Sequence, residues 1–269
     1  MGVKPLYRGV SGEVIALASE ARALQEAGFC NIHSVEPGFL YVEEPDGLRR
    51  FPIRRPSGDG MLDAEPTRAA RRIAWLLVES VRRRVSGLER VAIGFSGGLD
   101  SSMLTDAASR FAKVEPIVVA MRGSKDIERA EKAARSLGLN PNIRTLSEDD
   151  LVKIIAELRG SFRIEGTTDL SLAIIFHVAA ETASQLGCRR LLLGQLADEL
   201  FGGYSRYLTI LSKGSLDAVH QAMFDDVRDA YILNIERDEM ATSPHIDLSL
   251  PYSLSLIHIS EPTRLGMIS

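Results

Sequence analysis

The chain has 269 residues, of which 45% are hydrophobic and 25% are charged, the proportions of an ordinary globular protein with one or two domains. Its 32 basic and 36 acidic residues give a net charge of −4, which argues against a protein held to nucleic acid by bulk positive charge. No apolar run reaches the ~20 residues needed to span a bilayer, no secretory signal is visible, and two cysteines are too few for a disulfide framework. We therefore expect a cytoplasmic protein with neither a membrane nor a nucleic-acid partner.

Residues 1–57 are predicted to form a small β-rich unit, because glycines and prolines separate short apolar runs. We predict strands at about Val14–Ala18, Gly38–Val42 and Leu48–Ile53, and a short helix at Glu20–Glu26. These strands are too few to close a stable sheet on their own.

Residues 57–65 are typical of a linker, and Pro66 is predicted to open a helix that runs to about Arg84. The helix carries six arginines. A solvated face explains them better than a phosphate-attracting rim, which stays as the alternative.

From residue 90 onwards, short apolar runs alternate with helical patterns, which indicates a parallel sheet with crossover helices. The predicted strands are Arg90–Phe95, Ile117–Met121, Ile143–Leu146 and Arg190–Leu193, and the predicted helices are Ser101–Arg110, Ile127–Leu137, Glu148–Arg159, Asp169–Leu186 and Leu216–Leu233.

A loop with the sequence Ser-Gly-Gly-Leu-Asp-Ser-Ser, residues 96–102, lies between the first of these strands and the first helix. Two glycines let the backbone approach an anion, and the N-terminus of the following helix points N–H groups at it. Hydroxyl groups of Ser96, Ser101 and Ser102 can add donors. A carboxylate repels phosphate, so Asp100 makes sense if it binds a Mg²⁺ ion that the phosphates share. The segment predicts a phosphate-binding loop. The alternative is an ordinary Gly-rich connection between a strand and a helix, with a polar residue that caps the helix.

The loop is not a Walker A motif, because no lysine follows its glycines. It resembles the S-G-G-x-D-S loop of the PP-loop ATP pyrophosphatases, which cleave ATP between the α and β phosphates and adenylate a carboxyl or carbonyl oxygen. The resemblance implies an α/β fold with a parallel-sheet PP-loop domain of the adenine nucleotide alpha hydrolase type, and ATP as the cofactor. The phosphate-binding residues that it implies are Ser96, Gly97, Gly98, Ser101 and Ser102.

A second segment, residues 191–207, resembles the G-x-G-A-D-E-L-F-G-G-Y-x-R-Y segment of asparagine synthetases. It follows an apolar strand, which places Asp198 at the carboxyl edge of the sheet, where open α/β sheets bind ligands. The resemblance implies that Asp100 and Asp198 hold Mg²⁺ beside the triphosphate. The further nucleotide contacts that it implies are Val119 and Met121, at the end of the second strand, and Gly194.

The second segment departs from the family pattern at Gln195 and Leu196, where an acid and a small residue are usual. In the family the acid is implied to help position the acyl-adenylate or ammonia. The identity of the acceptor, or the way ammonia is delivered, therefore stays open.

The two ends of the chain define the expected domains. Residues 1–42 resemble the tail of a class II glutaminase domain, so we expect 1–57 to be the C-terminal remnant of that domain, without its N-terminal Cys nucleophile. Residues 58–252 are expected to be a C-terminally truncated PP-loop synthetase domain, and 253–269 an artefactual tail.

The stretch 235–252 resembles the family's R-D-x-x-T-x-x-H-x-x-E-x-R-x-P-F pattern, but Asp247 and Ser249 stand where Glu and Arg are usual. The family also uses a lysine to stabilise the adenylation transition state. No lysine follows Lys213, so we expect the catalytic lysine to lie beyond this chain and assign no catalytic residue.

The family resemblance implies a glutamine-hydrolysing asparagine synthetase. Aspartate is adenylated to β-aspartyl-AMP with release of pyrophosphate, and ammonia from glutamine then displaces AMP. The implied partners are aspartate, glutamine or ammonia, and a second copy of the intact chain in a homodimer. We expect the fragment to be inactive alone.

Three alternatives stay open. One is a related amide-forming PP-loop ligase with a different carboxylate acceptor, such as a β-lactam synthetase-like enzyme. A tRNA-modifying PP-loop enzyme is less consistent, since it predicts a basic extension or cysteine pairs. The third is a non-catalytic nucleotide-binding module.

Several polar residues near these segments have structural explanations. We expect Ser124, Asp126 and Glu128 to be helix caps or surface groups, His177 to pack in the core and Cys188 to be buried. Asp169 could cap its helix or meet the acceptor's amino group, and we favour the cap.

Overall fold

A computed structural model describes residues 6–36, 38–44, 47–53, 65–158, 166–242 and 245 of the chain. Within these ranges, no helix has both the length and the apolar character needed to cross a membrane. Three subjects of the sequence analysis lie outside the described residues: all but the last residue of the linker at 57–65, the tail at 253–269, and the pair Asp247 and Ser249.

Antiparallel strands form the N-terminal part of the described structure, which confirms the predicted β-rich region. Its elements are β1 (Tyr7–Ser11), β2 (Val14–Ala18), α1 (Ala21–Glu26), β3 (Asn31–Ser34), β4 (Phe39–Glu44) and β5 (Gly47–Pro52). Strand β1 pairs with both β2 and β3, while β4 and β5 form a separate hairpin.

Two of these strands, β1 and β3, are not indicated by the sequence pattern. Gly9 interrupts the apolar character of β1, where a glycine suggests a turn. In the structure a Cβ atom at Gly9 would lie 3.0 Å from Phe29 Cβ, so the glycine makes room for the Phe29 side chain.

The remaining elements form an α/β unit around a four-stranded sheet. They are α2 (Pro66–Val85), β6 (Arg90–Gly94), α3 (Leu99–Ser109), β7 (Lys113–Met121), α4 (Lys125–Ser136), β8 (Asn142–Leu146), α5 (Glu148–Leu158), α6 (Thr167–Gln185), β9 (Leu191–Leu192), α7 (Ala197–Phe201), α8 (Ser205–Lys213) and α9 (Leu216–Thr242). The strand order is β8-β7-β6-β9 and every pair is parallel, which confirms the predicted parallel sheet.

Helices cover both faces of this sheet. Ala92 and Ile117 belong to the core that α6 covers, whereas Ile93 packs with Val85 and Leu104 on the side of α2 and α3. Successive residues of β6 therefore point to opposite faces, as the pleat requires, and Ala92 and Ile93 are both fully buried. With both faces covered, the polar chemistry of the unit is left to the edge where the strands end.

One predicted helix cap is wrong. Helix α6 has Gly166 at its N-cap position, and Asp169 lies inside the first turn. The Asp169 carboxylate instead accepts a hydrogen bond of 2.8 Å from Arg237 Nη1 of α9. His177 and Cys188 are buried, as predicted.

Candidate active site

The phosphate-loop candidate connects β6 to α3, and Gly97 sets its shape. The backbone of Gly97 is left-handed, with φ of +71°, a conformation that favours glycine. A Cβ atom there would also lie 2.8 Å from Ala130 Cα of α4. The glycine therefore meets both a conformational and a packing requirement, because α4 approaches the loop closely.

Serine hydroxyls brace the loop from within. Ser96 Oγ accepts a hydrogen bond from Gly98 N at 3.2 Å and lies 3.2 Å from Ser101 Oγ. The hydroxyls of Ser101 and Ser102 donate to Gly98 O at 3.2 Å and 2.7 Å. No described side chain caps the N-terminus of α3. The partial positive charge of this helix end is therefore left next to the loop.

The charge of one predicted metal-binding carboxylate acts on the other. Burial raises the pKa of Asp100, and the negative charge of Asp198 raises it further. Asp198 lies in the first turn of α7, after Leu196, whose backbone is left-handed with φ of 65°. Gly203 makes room for it, since a Cβ atom at Gly203 would overlap the Asp198 carboxylate.

The donor set fits a Mg²⁺ ion that is shared with a ligand. Asp100 and Asp198 offer hard oxygen ligands, and a divalent cation would relieve their mutual repulsion. Within the described ranges, no group of three or more His, Cys, Asp or Glu side chains forms a metal site by itself. Mg²⁺ often takes only one or two protein carboxylates and completes its shell with phosphate oxygens and water.

Glu199, the neighbour of Asp198, braces the segment. It is 7% exposed, and its Oε1 accepts a hydrogen bond of 2.8 Å from the Tyr204 hydroxyl. Burial, followed by this carboxylate, raises the pKa of Tyr204. The Tyr207 hydroxyl donates to Asp226 Oδ2 of α9 at 2.5 Å, which ties the start of α8 to α9.

A cavity of about 280 Å³ opens between the loop, the end of β7 and helix α6. The predicted site residues that line it are Ser96, Asp100, Ser101, Val119 and Gly194. Those that do not line it are Gly97, Gly98, Ser102, Met121 and Asp198. Gly97, Gly98 and Ser102 belong to the loop itself, while Met121 is an exposed residue at the end of β7.

Other lining residues were not assigned to the site by sequence reasoning. They are Gly94, Phe95, Ile117, Val118, Asp126, Arg129, Leu172, Ile175, Phe176, Ala179, Leu193 and Gln195. The apolar residues among them that belong to α6 lie in a largely apolar stretch of that helix. The sequence of this stretch does not indicate which of its residues line a cavity.

Arg129 and Asp126 bring charges to the cavity from α4. They form an ion pair of 3.0 Å, while Ser124 caps the helix by accepting a hydrogen bond from Asp126 N at 3.2 Å. The predicted capping role of Ser124 is confirmed, and Asp126 lies at the cavity as well as at the surface. A guanidinium near the loop offers a further partner for phosphate oxygens.

The parallel sheet, with the Ser-Gly-Gly loop between β6 and α3, agrees with the α/β class of fold that the sequence predicts. The sequence model of the family described as asparagine synthase matches residues 72–245, so the chain belongs to that family.

Curated relatives cover most of this chain. A putative glutamine-hydrolysing asparagine synthetase 1 of Methanocaldococcus jannaschii is 29% identical over 93% of this chain and 50% of its own. The glutamine-hydrolysing asparagine synthetase 1 of Bacillus subtilis is 23% identical over 78% of this chain and 37% of its own. The chain thus spans about half, or less, of the length of these relatives.

Among solved structures, the chain is similar to an NH3-dependent NAD synthetase of Campylobacter jejuni. The TM-score is 0.38 and the identity 16%, over 50% of this chain and 60% of that chain.

Proposed function

We propose that the chain carries the ATP-dependent half-reaction of an asparagine synthetase, a carbon–nitrogen ligase. The side-chain carboxylate of aspartate attacks the α-phosphorus of ATP, and pyrophosphate leaves. Ammonia, supplied from glutamine in the whole protein, then displaces AMP from β-aspartyl-AMP. Membership of the family and the geometry of the loop both support this reaction.

In this proposal the loop binds the leaving pyrophosphate. The backbone N–H of Gly97 and those at the start of α3 would bind the β and γ phosphates, with the Ser96 and Ser101 hydroxyls beside them. Gly98, whose N–H donates to Ser96 Oγ, would let the backbone approach the phosphates. Asp100 and Asp198 would hold Mg²⁺, which supplies positive charge to the phosphates when bound. The rest of the nucleotide would then lie in the cavity, at Val119 near the end of β7 and at Gly194 just after β9.

We also propose the domain division that the sequence suggests. Residues 1–57 would be the C-terminal part of a class II glutaminase domain, and 58–252 the PP-loop synthetase domain. The antiparallel strands of the first part form sheets separate from the parallel sheet of the second, which supports a boundary between them. The relatives named as glutamine-hydrolysing support the glutaminase assignment.

A single observation carries the proposal: Asp100 of the loop lines the cavity, and the negative charge of Asp198, from a segment almost a hundred residues away, raises its pKa. The test is aspartate-dependent exchange of labelled pyrophosphate into ATP by the whole protein, since this chain is expected to be inactive alone. Asp100→Asn and Asp198→Asn should each lower the exchange rate roughly 100-fold or more. Each substitution would remove a carboxylate ligand of the Mg²⁺ ion whose positive charge stabilises adenylyl transfer.

Asp106→Asn is the matched control. Asp106 lies on the same helix as Asp100, but it is exposed and pairs with Arg110 at 2.6 Å. Its substitution should leave the exchange unchanged. Exchange that is independent of aspartate, or equally lowered by the control, would contradict the proposal.

Gln195 and Leu196 favour a second candidate, a related amide-forming ligase with a different carboxylate acceptor. Both differ from the family pattern, and Gln195 lines the cavity. Exchange measured with a panel of amino and carboxylic acids distinguishes the two, since each candidate predicts a different acceptor.

A further inference from the structure

The wall of the cavity contains a neutral amide that is held by buried charges. Gln195 lines the cavity at a position where the family pattern has an acid. Its Nε2 donates a hydrogen bond of 3.3 Å to Asp238 Oδ2 of α9. The contact joins two segments that are 43 residues apart.

Asp238 is itself fixed on its other side. Asp238 is 2% exposed and Arg237 is 5% exposed. Arg237 donates through Nε to Asp238 Oδ1 at 2.8 Å and through Nη1 to Asp169 Oδ1 at 2.8 Å. Two carboxylates therefore share this guanidinium, while Asp238 Oδ2 accepts the hydrogen bond from Gln195.

The charge of Asp238 decides which end of the amide it meets. An ionised carboxylate only accepts hydrogen bonds, so the Nε2 end of Gln195 faces it and Oε1 is left as an acceptor. A glutamate at this position would place a second carboxylate about as close to Asp238, and the two could not both ionise freely. Gln195 and Asp238 are therefore matched as a donor and an acceptor.

We propose that Asp238, fixed by Arg237 and Asp169, is a positioning residue that orients the Gln195 amide so that its Oε1 accepts a hydrogen bond from an N–H donor in the cavity. The donor is named on the strength of the proposed function: it is either the ammonia nucleophile or the ammonium group of the amino-acid acceptor. The hydrogen bond between Gln195 and Asp238 does not depend on that function.

The first test reads the amide directly, in the full chain labelled with ¹⁵N. Gln195→Glu removes one side-chain NH₂ signal and so assigns it. Asp238→Asn should shift that signal. Asp225→Asn is the control, because it alters a similar but exposed pair on the same helix, Gln221 and Asp225 at 3.2 Å. This substitution should leave the Gln195 signal unchanged.

The wild-type chain gives the same test without a substitution. Burial raises the pKa of Asp238 to about 6, with Arg237 and Gln195 opposing the shift and Asp169 adding to it. The Gln195 signal should therefore move as the pH passes through about 6, and the Gln221 signal should not follow it. A Gln195 signal that responds neither to pH nor to Asp238→Asn would overturn the proposal.

The second test exchanges the two partners. In the double variant Gln195→Glu with Asp238→Asn, the introduced amide can donate to the introduced carboxylate, so the hydrogen bond is restored in reverse. In the whole protein, each single substitution should lower kcat/KM for amidation roughly tenfold or more, and the double variant should recover most of that loss. Additive losses would contradict a positioning role.

The pattern of KM values separates the two donors. If ammonia is bound at Gln195, the single variants raise the KM for ammonium and leave the KM for aspartate in the exchange reaction unchanged. If the acceptor's ammonium group is bound there, the KM for aspartate rises instead. A change in neither KM counts against the proposal. A wild-type whole protein without exchange contradicts the proposed function, while the ¹⁵N test on the chain still decides on the hydrogen bond.

Discussion

Gly97 has two separate constraints, and substitution can separate them. Its φ of +71° costs an alanine about 1–2 kcal/mol, and an added Cβ would also press against Ala130. Gly123 has a similar φ of +81° with nothing within 4 Å of an added Cβ. It therefore serves as a control for the backbone cost alone.

We expect Gly97→Ala to lower the free energy of unfolding by at least about 1 kcal/mol more than Gly123→Ala, because α4 must also shift. Gly97→Ala should in addition weaken ATP binding, which Gly123→Ala should not. Urea unfolding and nucleotide titration measure the two effects. Equal losses of stability would show that the contact with Ala130 is unimportant.

The sequence predicts local features of the site better than its distant contacts. Residues 96–102 are recognisable as a phosphate-binding loop because the glycines and hydroxyl residues that define it lie within seven consecutive positions. The role of Arg129 depends on how α4 packs against the loop, and the contact of Gln195 with Asp238 depends on the path of α9. Neither leaves a periodic or compositional signal.

Cys188, three residues before β9 begins, is buried in the core. Burial raises the pKa of this thiol to about 11, so it stays protonated and shielded in the folded protein. Cys30 is exposed. Only one thiol should react quickly with an aromatic disulfide reagent at mildly alkaline pH, and the second should react after unfolding.

A Cys30→Ser variant checks this assignment, since it should remove the fast phase and leave the slow one. Rapid modification of the folded variant would mean that Cys188 is accessible and that the packing around β9 is looser than described.

At the scale of elements, long helices were easier to predict than most short ones, although the six-residue α1 was predicted too. Helices α2 and α6 have 20 and 19 residues, and the sequence indicates both. Helices α7 and α8, with 5 and 9 residues, were not predicted, because fewer than three turns give little periodicity. Strand β7 begins at Lys113, earlier than the predicted Ile117, since its first residues are partly polar.

Across the whole molecule, a histidine pair joins α6 to the segment after α9. His245 Nε2 and His177 Nε2 are 3.2 Å apart, and Glu157 Oε2 of α5 lies 3.2 Å from His177 Nε2. Burial lowers the pKa of His245, and the charge of His177 lowers it further, while Glu181 and Glu157 oppose the shift.

The sign of the resulting pH dependence follows from this shift. The folded state prefers neutral His245, so its contribution to stability is present at pH values above the ordinary 6.5 and is lost as the pH falls. Asp238 acts in the opposite direction, because its folded-state pKa of about 6 lies above its ordinary 3.8. As the pH falls through about 6, protonation removes the cost of a buried charge, so Asp238 destabilises the folded state less.

Comparing variants separates the contribution of His245 to the pH dependence of stability from that of Asp238. We expect His245→Gln to lose less stability than the wild type between about pH 7 and pH 5.5, as measured by urea midpoints. His220→Gln, which replaces an exposed histidine of α9, should follow the wild type. Parallel curves for all three proteins would show that the pair does not sense pH.

The division of the whole molecule into a β-rich part and a parallel α/β part could be predicted, because it rests on turn residues and on alternating patterns. The packing of α9 on α6 through Arg237 and Asp169 could not be predicted, since two charged side chains at such a distance in sequence usually lie on the surface.

The central claim is that ATP binds at the loop between β6 and α3 with the help of Asp198. Hydrogen–deuterium exchange of the full chain, with and without ATP and Mg²⁺, tests it most directly. We predict that the nucleotide slows exchange in residues 94–103 and 193–203, and that Asp198→Asn reduces this protection while residues 6–53 stay unchanged. Absence of protection in both segments, or protection confined to residues 6–53, would contradict the account.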